Sequence, residues 1–295
     1  MFLAFLCPPT EMKIQNIYRI LLLALLCLAM GSAVFSQTLL KRTTYKSDKF
    51  DFGAGGTLAV VGAPNGSVTI EGWQRPEIEI SAEIELHAPT EAGLAKLAEI
   101  TGFAVDDTLG KASIISLGSH LSKNGKSKKI KLPKELAGLP FRIDYKIKVP
   151  RYCDLEIDGG DGELYVSGVE GTMRINFLKT NARLELVGGS VVGVFGSGRV
   201  EVFLPFRNWR GRMADIQVAS GDLNVYLPPT ISSEIDATVL RTGHIENEFT
   251  DLKPKNRKIA FTDRSISAKA GNGGAPLKFT VGDGTLKILH TPKPE

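Results

Sequence analysis

Gly162-Glu163-Leu164-Tyr165-Val166-Ser167-Gly168-Val169-Glu170 and Gly171-Thr172-Met173-Arg174-Ile175-Asn176-Phe177-Leu178-Lys179 are consecutive nine-residue units, and their shared form decides the fold. From Asp154 to Leu204 the period persists: Leu164, Met173, Ala182, Val191 and Val200 make one apolar column. Val166, Ile175, Leu184, Gly193 and Val202 make a second, two residues later. Gly162, Gly171, Gly189 and Gly198 lead four units, and Thr180 takes the remaining slot. Each unit is a turn glycine followed by an alternating strand, which turns one face inward. Glycine supplies the positive φ that a sharp corner needs. A strand this short cannot bury its apolar face alone, so the units must stack. Two nine-residue arms per coil predict an all-β fold, a parallel-rich, flattened β-solenoid. The competing reading is an antiparallel sandwich, also built of short, evenly spaced strands.

Working outward, the same form recurs at Gly221-Asp222-Leu223-Asn224-Val225, Gly243-His244-Ile245 and Gly284-Thr285-Leu286-Lys287-Ile288, and upstream at Gly66-Ser67-Val68-Thr69-Ile70. Phe141, Ile143, Tyr145, Ile147 and Val149 alternate as well. One segment departs: Thr90 as N-cap, Glu91 in the first turn, then Leu94, Leu97 and Ala98 at helical spacing. It predicts one short helical insert over 90–101, a lateral insert or cap on the early coils. The helix and a lysine-rich loop interrupt the repeat at about 88–140. The 295 residues, 43% hydrophobic and 23% charged, with 31 glycines and 15 prolines, fit a folded chain of short strands and tight turns. A net charge of +4 is too small at this length to indicate a nucleic-acid binder.

The N-terminus reads as an address. Lys13 and Arg19 precede the apolar run Leu21–Ala29, and Gly31-Ser32-Ala33 leads to Val34-Phe35-Ser36-Gln37. This is a secretory signal peptide over 1–36, cut after Ser36, with Met12 as an alternative start. A retained signal anchor is the alternative, although the run is shorter than the about 20 residues of a full span. Leu26 stands where a lipoprotein site wants a small residue before Cys27. Cys7 and Cys27 leave with the signal, so 37–295 is expected to be a single domain with Cys153 as a buried small hydrophobe. The stretch Lys287 to Glu295 holds no apolar tail or sorting motif, so the exported protein is expected to be soluble, in the periplasm or at the cell surface.

The run Phe141–Pro150 into Leu155-Glu156-Ile157 and the Gly162 and Gly171 units, with Ala219–Leu223 and Val281–Leu286, resembles the bacterial "putative adhesin" domain family, also called DUF4097. The resemblance covers Val60 to Ile288. It implies a parallel β-solenoid at the envelope of a bacterium, and it brings no catalytic set.

Sites in the sequence weigh the same way. Gly53-Ala54-Gly55-Gly56-Thr57-Leu58 lacks the third glycine and the following helix of a dinucleotide loop. Phe195-Gly196-Ser197-Gly198 lacks the first glycine of a nucleophile elbow. His87, His120, His244 and His290 stand singly, so no zinc spacing exists. Asp158-Gly159-Gly160-Asp161-Gly162 does not recur as a calcium nonapeptide. Asn65-Gly66-Ser67 is a formal sequon and first of all a turn. Asp158, Asp161, Glu163 and Glu185 could serve a solenoid polysaccharide lyase or hydrolase, but alternation sends Glu163 and Glu185 outward without pairing them. No cofactor and no metal are therefore expected. Two surfaces stand out. Lys123, Lys126, Lys128, Lys129, Lys131 and Lys134 sit in one loop, either a solvated insert or a patch for acidic glycan or anionic lipid. Around Trp209, the residues Arg207, Arg210 and Arg212 either frame a stacking site for a sugar or partner, or flank an indole that closes the core. The expectation is a non-enzymatic envelope module for adhesion or assembly. Its partners would be an envelope glycan, an anionic lipid surface or another envelope protein, with the solenoid enzyme as the alternative.

Overall fold

The computed structural model describes residues 39–122, 134–206, 209–250 and 252–292. The repeat region is parallel throughout. β8 (Asp154–Ser167) pairs with β9 (Glu170–Glu185), β9 with β10 (Gly188–Phe203), and β10 with β11 (Arg210–Leu227). Leu155 pairs with Met173 and Met173 with Val191, while Leu164 pairs with Ala182 and Ala182 with Val200. Units nine residues apart therefore lie on opposite arms, and units eighteen apart stack, as two arms per coil require. The antiparallel sandwich is excluded, because no hairpin joins these strands.

Alternate residues of the two arms face each other across the core. Leu155, Met173, Val191 and Ala214 line one side, and Leu164, Ala182, Val200 and Leu223 the other, all buried. Gly193 leaves a gap in its column, and the Phe195 ring lies where a Gly193 side chain would stand. The fully buried ring restores the density that a close-packed interior needs. β2 (Thr57–Val61) and β3 (Val68–Trp73) form the arms of the coil before β8, and β6 (Lys111–Leu117) and β7 (Phe141–Pro150) those of the coil before that. Between those last two arms the Tyr145 hydroxyl meets Ser116 Oγ at 2.7 Å, and Ser116 donates to the Val61 carbonyl. A phenol inside the core thus has its partner.

The ends depart from the parallel rule. β1 (Leu40–Asp51) and β4 (Glu77–Ala88) add antiparallel strands to β7, and β5 (Gly102–Thr108) adds one to β6. The helix α1 (Glu91–Ile100) joins β4 to β5, with the Thr90 hydroxyl accepting from Gly93 N–H as the N-cap. Leu94 and Leu97 are its buried face, so the expected helix is present with the expected cap. At the other end β12 (Ser233–Asn247) pairs antiparallel with β14 (Ser265–Ala270), which also carries β13 (Lys253–Pro254).

One feature of the order departs from a simple reading of the repeats. β15 (Ala275–His290) is the last strand of the chain, yet it lies between β11 and β12, parallel to both. The Gly284 unit is therefore an inner coil and the Gly243 unit an outer one. The register of β12 shifts between Val239 and Thr242. Arg241 spans the irregularity, with Nε 2.9 Å from Asp283 Oδ2, while Thr242 Oγ1 donates to Asp283 Oδ1 at 2.8 Å.

At the corners, Gly66, Gly162, Gly198, Gly221, Gly284 and Gly243 fall into one stack, with Thr180 in line. A Cβ on Gly221 would overlap the Gly198 carbonyl, and its φ of +136° is closed to side chains. Gly162 carries no positive φ and is required by close approach alone, to the Gly66 carbonyl.

Two outcomes follow. Gly221→Ala should lose about 2 kcal/mol of stability or more in urea unfolding, whereas Gly53→Ala, with open space around its Cβ, should be nearly neutral. The Arg241 guanidinium and then the Thr242 hydroxyl hold the Asp283 carboxyl down to about 2 from its ordinary 3.8. A carboxylate lowered by folding stabilises above its ordinary value and loses that contribution as pH falls through the folded one. The stability gap between the native protein and Asp283→Asn should thus be constant above pH 5 and close between about pH 4 and pH 2 in acid unfolding.

Candidate functional site

The outward residues of the second arms form a broad face. Because stacked residues share a register, they line up in columns across the coils. Asn181, Arg199 and Asp222 form one, Arg183, Glu201 and Asn224 the next, and Glu185, Phe203 and Tyr226 a third. A groove of about 660 Å³ opens on this face, lined by Asn181, Arg183, Arg199, Glu201 and Asp222 over a floor that includes Gly198 and Gly221. Its volume falls within the usual range of ligand sites.

Residues of the neighbouring column fix one side of the groove through Arg183. Phe203 and Tyr226 stack in parallel, 4.2 Å between centroids and 3° between planes. The Arg183 guanidinium lies 4.2 Å from the Phe203 centroid, on a planar aromatic face that suits it. Arg183 Nε also donates to Glu185 Oε1 at 2.9 Å, so the side chain is fixed from two directions. Arg199 is looser: its backbone N–H donates to Asn181 Oδ1 at 3.3 Å, and its Nη2 stands 4.0 Å from Asp222 Oδ2. Burial first, and the Glu201 carboxylate second, push the Tyr226 phenol above its ordinary value, so it is a hydroxyl donor at neutral pH.

No family model and no curated protein sequence matches this chain. Among solved structures it is similar in fold to a "putative cell adhesion protein" from Clostridium sporogenes, at 14% identity and a TM-score of 0.43, covering 85% of this chain and 100% of that one. It is also similar to a "putative adhesin" from Bacteroides fragilis, at 12% identity and a TM-score of 0.26, covering 83% and 97%. A "putative lipid binding protein" from Parabacteroides distasonis matches at 13% identity and a TM-score of 0.27, over the same shares. At these identities and scores none of them bears on what this chain binds.

The residues singled out in the sequence lie elsewhere. Lys123, Lys126, Lys128, Lys129, Lys131 and Arg207 fall outside the described residues, as do the signal segment, Met12, Cys7 and Cys27. Lys134 is exposed. Trp209 is half-buried and packs against the core, its indole lying where a Gly211 side chain would stand. That is the core-closing alternative, and it leaves Arg210 and Arg212 as exposed neighbours of an indole turned inward. Asp158 accepts from Asn176 at 3.2 Å and Asp161 from Lys179 at 3.3 Å. Each carboxylate therefore engages its own stacked neighbour. His87 lies 2.7 Å from Glu85 and His244 3.1 Å from Glu246. Among the described residues no group of three or more His, Cys, Asp or Glu could hold a metal. Cys153 is buried, and burial pushes its thiol up to about 12. None of the described helices is long and apolar enough to cross a membrane.

Sequence reasoning missed the groove. Asn181 and Arg199 are eighteen residues apart and were open to alignment, but Asp222 follows Arg199 by twenty-three. The added length around Trp209 moves the next coil out of the simple period. Beside the groove, Thr180 is buried and its hydroxyl has no partner. A buried, unpaired hydroxyl costs about 1–3 kcal/mol. Thr180→Val, nearly the same shape, should therefore raise the urea midpoint, by a stability gain of about 1 kcal/mol.

Proposed function

We propose that this chain is an exported protein of the bacterial cell envelope that binds rather than transforms its ligand. Residues 37–295 would act as one adhesin-like module after removal of 1–36. The observation that carries this reading is the groove on the second-arm face, where one fixed guanidinium, a looser one and two carboxylates are held in register across three coils, beside an aromatic stack. A rigid sheet holds such side chains at the strand spacing of about 4.8 Å, which suits an extended polymer better than a small substrate. The loop of Lys123, Lys126, Lys128, Lys129 and Lys131 is proposed as a secondary contact for polyanions in the envelope, and Arg207, Arg210 and Arg212 as its counterpart near Trp209.

The test begins with fractionation of the native cell and mass determination of the protein. Recovery outside the cytoplasm with Gln37 as the first residue is expected; a cytoplasmic protein that keeps residues 1–36 overturns export. Purified protein should then co-sediment with isolated envelope material. Any component bound through the lysine loop should be released by raising salt from 0.05 to about 0.5 M, because screening shortens the reach of exposed charges. Substituting Lys126, Lys128 and Lys129 by Gln should remove that component. Polysaccharide turnover that disappears in Asp158→Asn or Asp161→Asn would establish the enzyme instead.

A further inference from the structure

We propose that the groove between Arg183 and Asp222 is a subsite for a neutral, hydroxyl-rich polysaccharide. This inference rests on the binding role proposed above and names the ligand class for its face.

Charge balance comes first. The lining holds two guanidiniums, Arg183 and Arg199, and two carboxylates, Glu201 and Asp222. An anionic polymer would meet Glu201 and Asp222, and a cationic one the two arginines. A ligand without net charge meets neither repulsion. Donors and acceptors come second. Guanidinium offers only donors and carboxylate only acceptors, so a ligand lying across both must supply acceptors and donors side by side. A sugar hydroxyl does both with one atom, and neighbouring hydroxyls match the planar fork of arginine. Preorganisation comes third. Arg183 is fixed by the Phe203 ring and Glu185, so little freedom is lost when its remaining N–H groups engage a ligand.

A peptide is the competing occupant. Sheets take peptides at an open edge, and grooves take them by apolar anchors. This groove lies on β9, β10 and β11, each paired on both sides, and its outward lining is polar. Both faces of the Phe203 ring are occupied, one by Tyr226 and one by the Arg183 guanidinium. Recognition by the groove therefore rests on hydrogen bonding from its polar lining.

The experiment is affinity electrophoresis and calorimetry of the full chain with dextran, amylose and laminarin as neutral probes and with alginate as an acidic one. Binding of at least one neutral probe is expected. It should weaken tenfold or more in Arg199→Gln and in Asp222→Asn, change less than twofold between 0.05 and 0.5 M salt, and remain unchanged in Arg174→Gln on the opposite face. Thermal melting of each variant separates loss of contact from loss of fold. Binding to no neutral probe, preference for alginate, or neutral binding that ignores both groove substitutions overturns the subsite. Capture by envelope protein that survives glycan removal and is lost in Arg199→Gln also overturns it, in favour of the peptide. Retained co-sedimentation with envelope material in these cases leaves the binding role standing; loss of all co-sedimentation in the native protein removes that role itself.

Discussion

The close approach of one coil's backbone to the next at the corners governs everything else in this protein. Parallel arms can stay in register only if the chain turns at the same place in every coil. At that place each carbonyl points into the next residue's Cβ position, as Gly198 does toward Gly221 and Gly221 toward Gly284. Glycine is the residue that tolerates both the contact and the positive φ. The apolar columns then follow from the corner, since a shift of one residue would turn every inward side chain outward. Thr180 shows that the rule concerns backbone space rather than residue identity, and its orphaned hydroxyl shows the cost of the exception.

Much of this was legible in the residues. Leu164, Met173, Ala182 and Val191 display both the alternation and the period, and the eighteen-residue pairing of the stacked strands is the same pattern folded once. Thr90 and Glu91 marked a helix start that stands as read. The columns could not show that Phe195 would fill the place of Gly193, because that exchange is a matter of volume between neighbours. Nor could they reveal the order of the last coils, since Gly243 and Gly284 carry the same local signal wherever they stack. The groove was hidden for a related reason. Its residues are ordinary solvated charges along the chain, and only the register across an insertion brings Arg199 to Asp222.

The two ends explain why the stack stops. An open strand edge is a template for a further strand, and proteins blunt such edges with inward charges and covering segments. On the β1 edge, Lys46 reaches inward to the Phe103 carbonyl at 2.6 Å and lies over its ring, while Arg42 pairs with Glu91 of the helix. At the far end the segment after β12 brings Phe249 and Phe261 against the core, and Asp263 accepts from the Ile245 N–H. Growth by end-to-end pairing is disfavoured at both ends, and the lateral faces are left as the surfaces for contact.

The placement of β15 has a further consequence, for the order of events during synthesis. A chain that emerges from its N-terminus can build its coils one after another as far as β11. β12 and its hairpin with β14 must then wait apart, because the strand that joins them to the stack is the last to arrive. A chain broken before β15 would not simply carry fewer coils. It would have a missing inner layer, a stranded outer coil and two exposed edges, which is the kind of surface that folding surveillance detects. The sixteen residues of β15 thus couple the two sides of the sheet: neither β11 nor β12 has its partner on that side until they are in place.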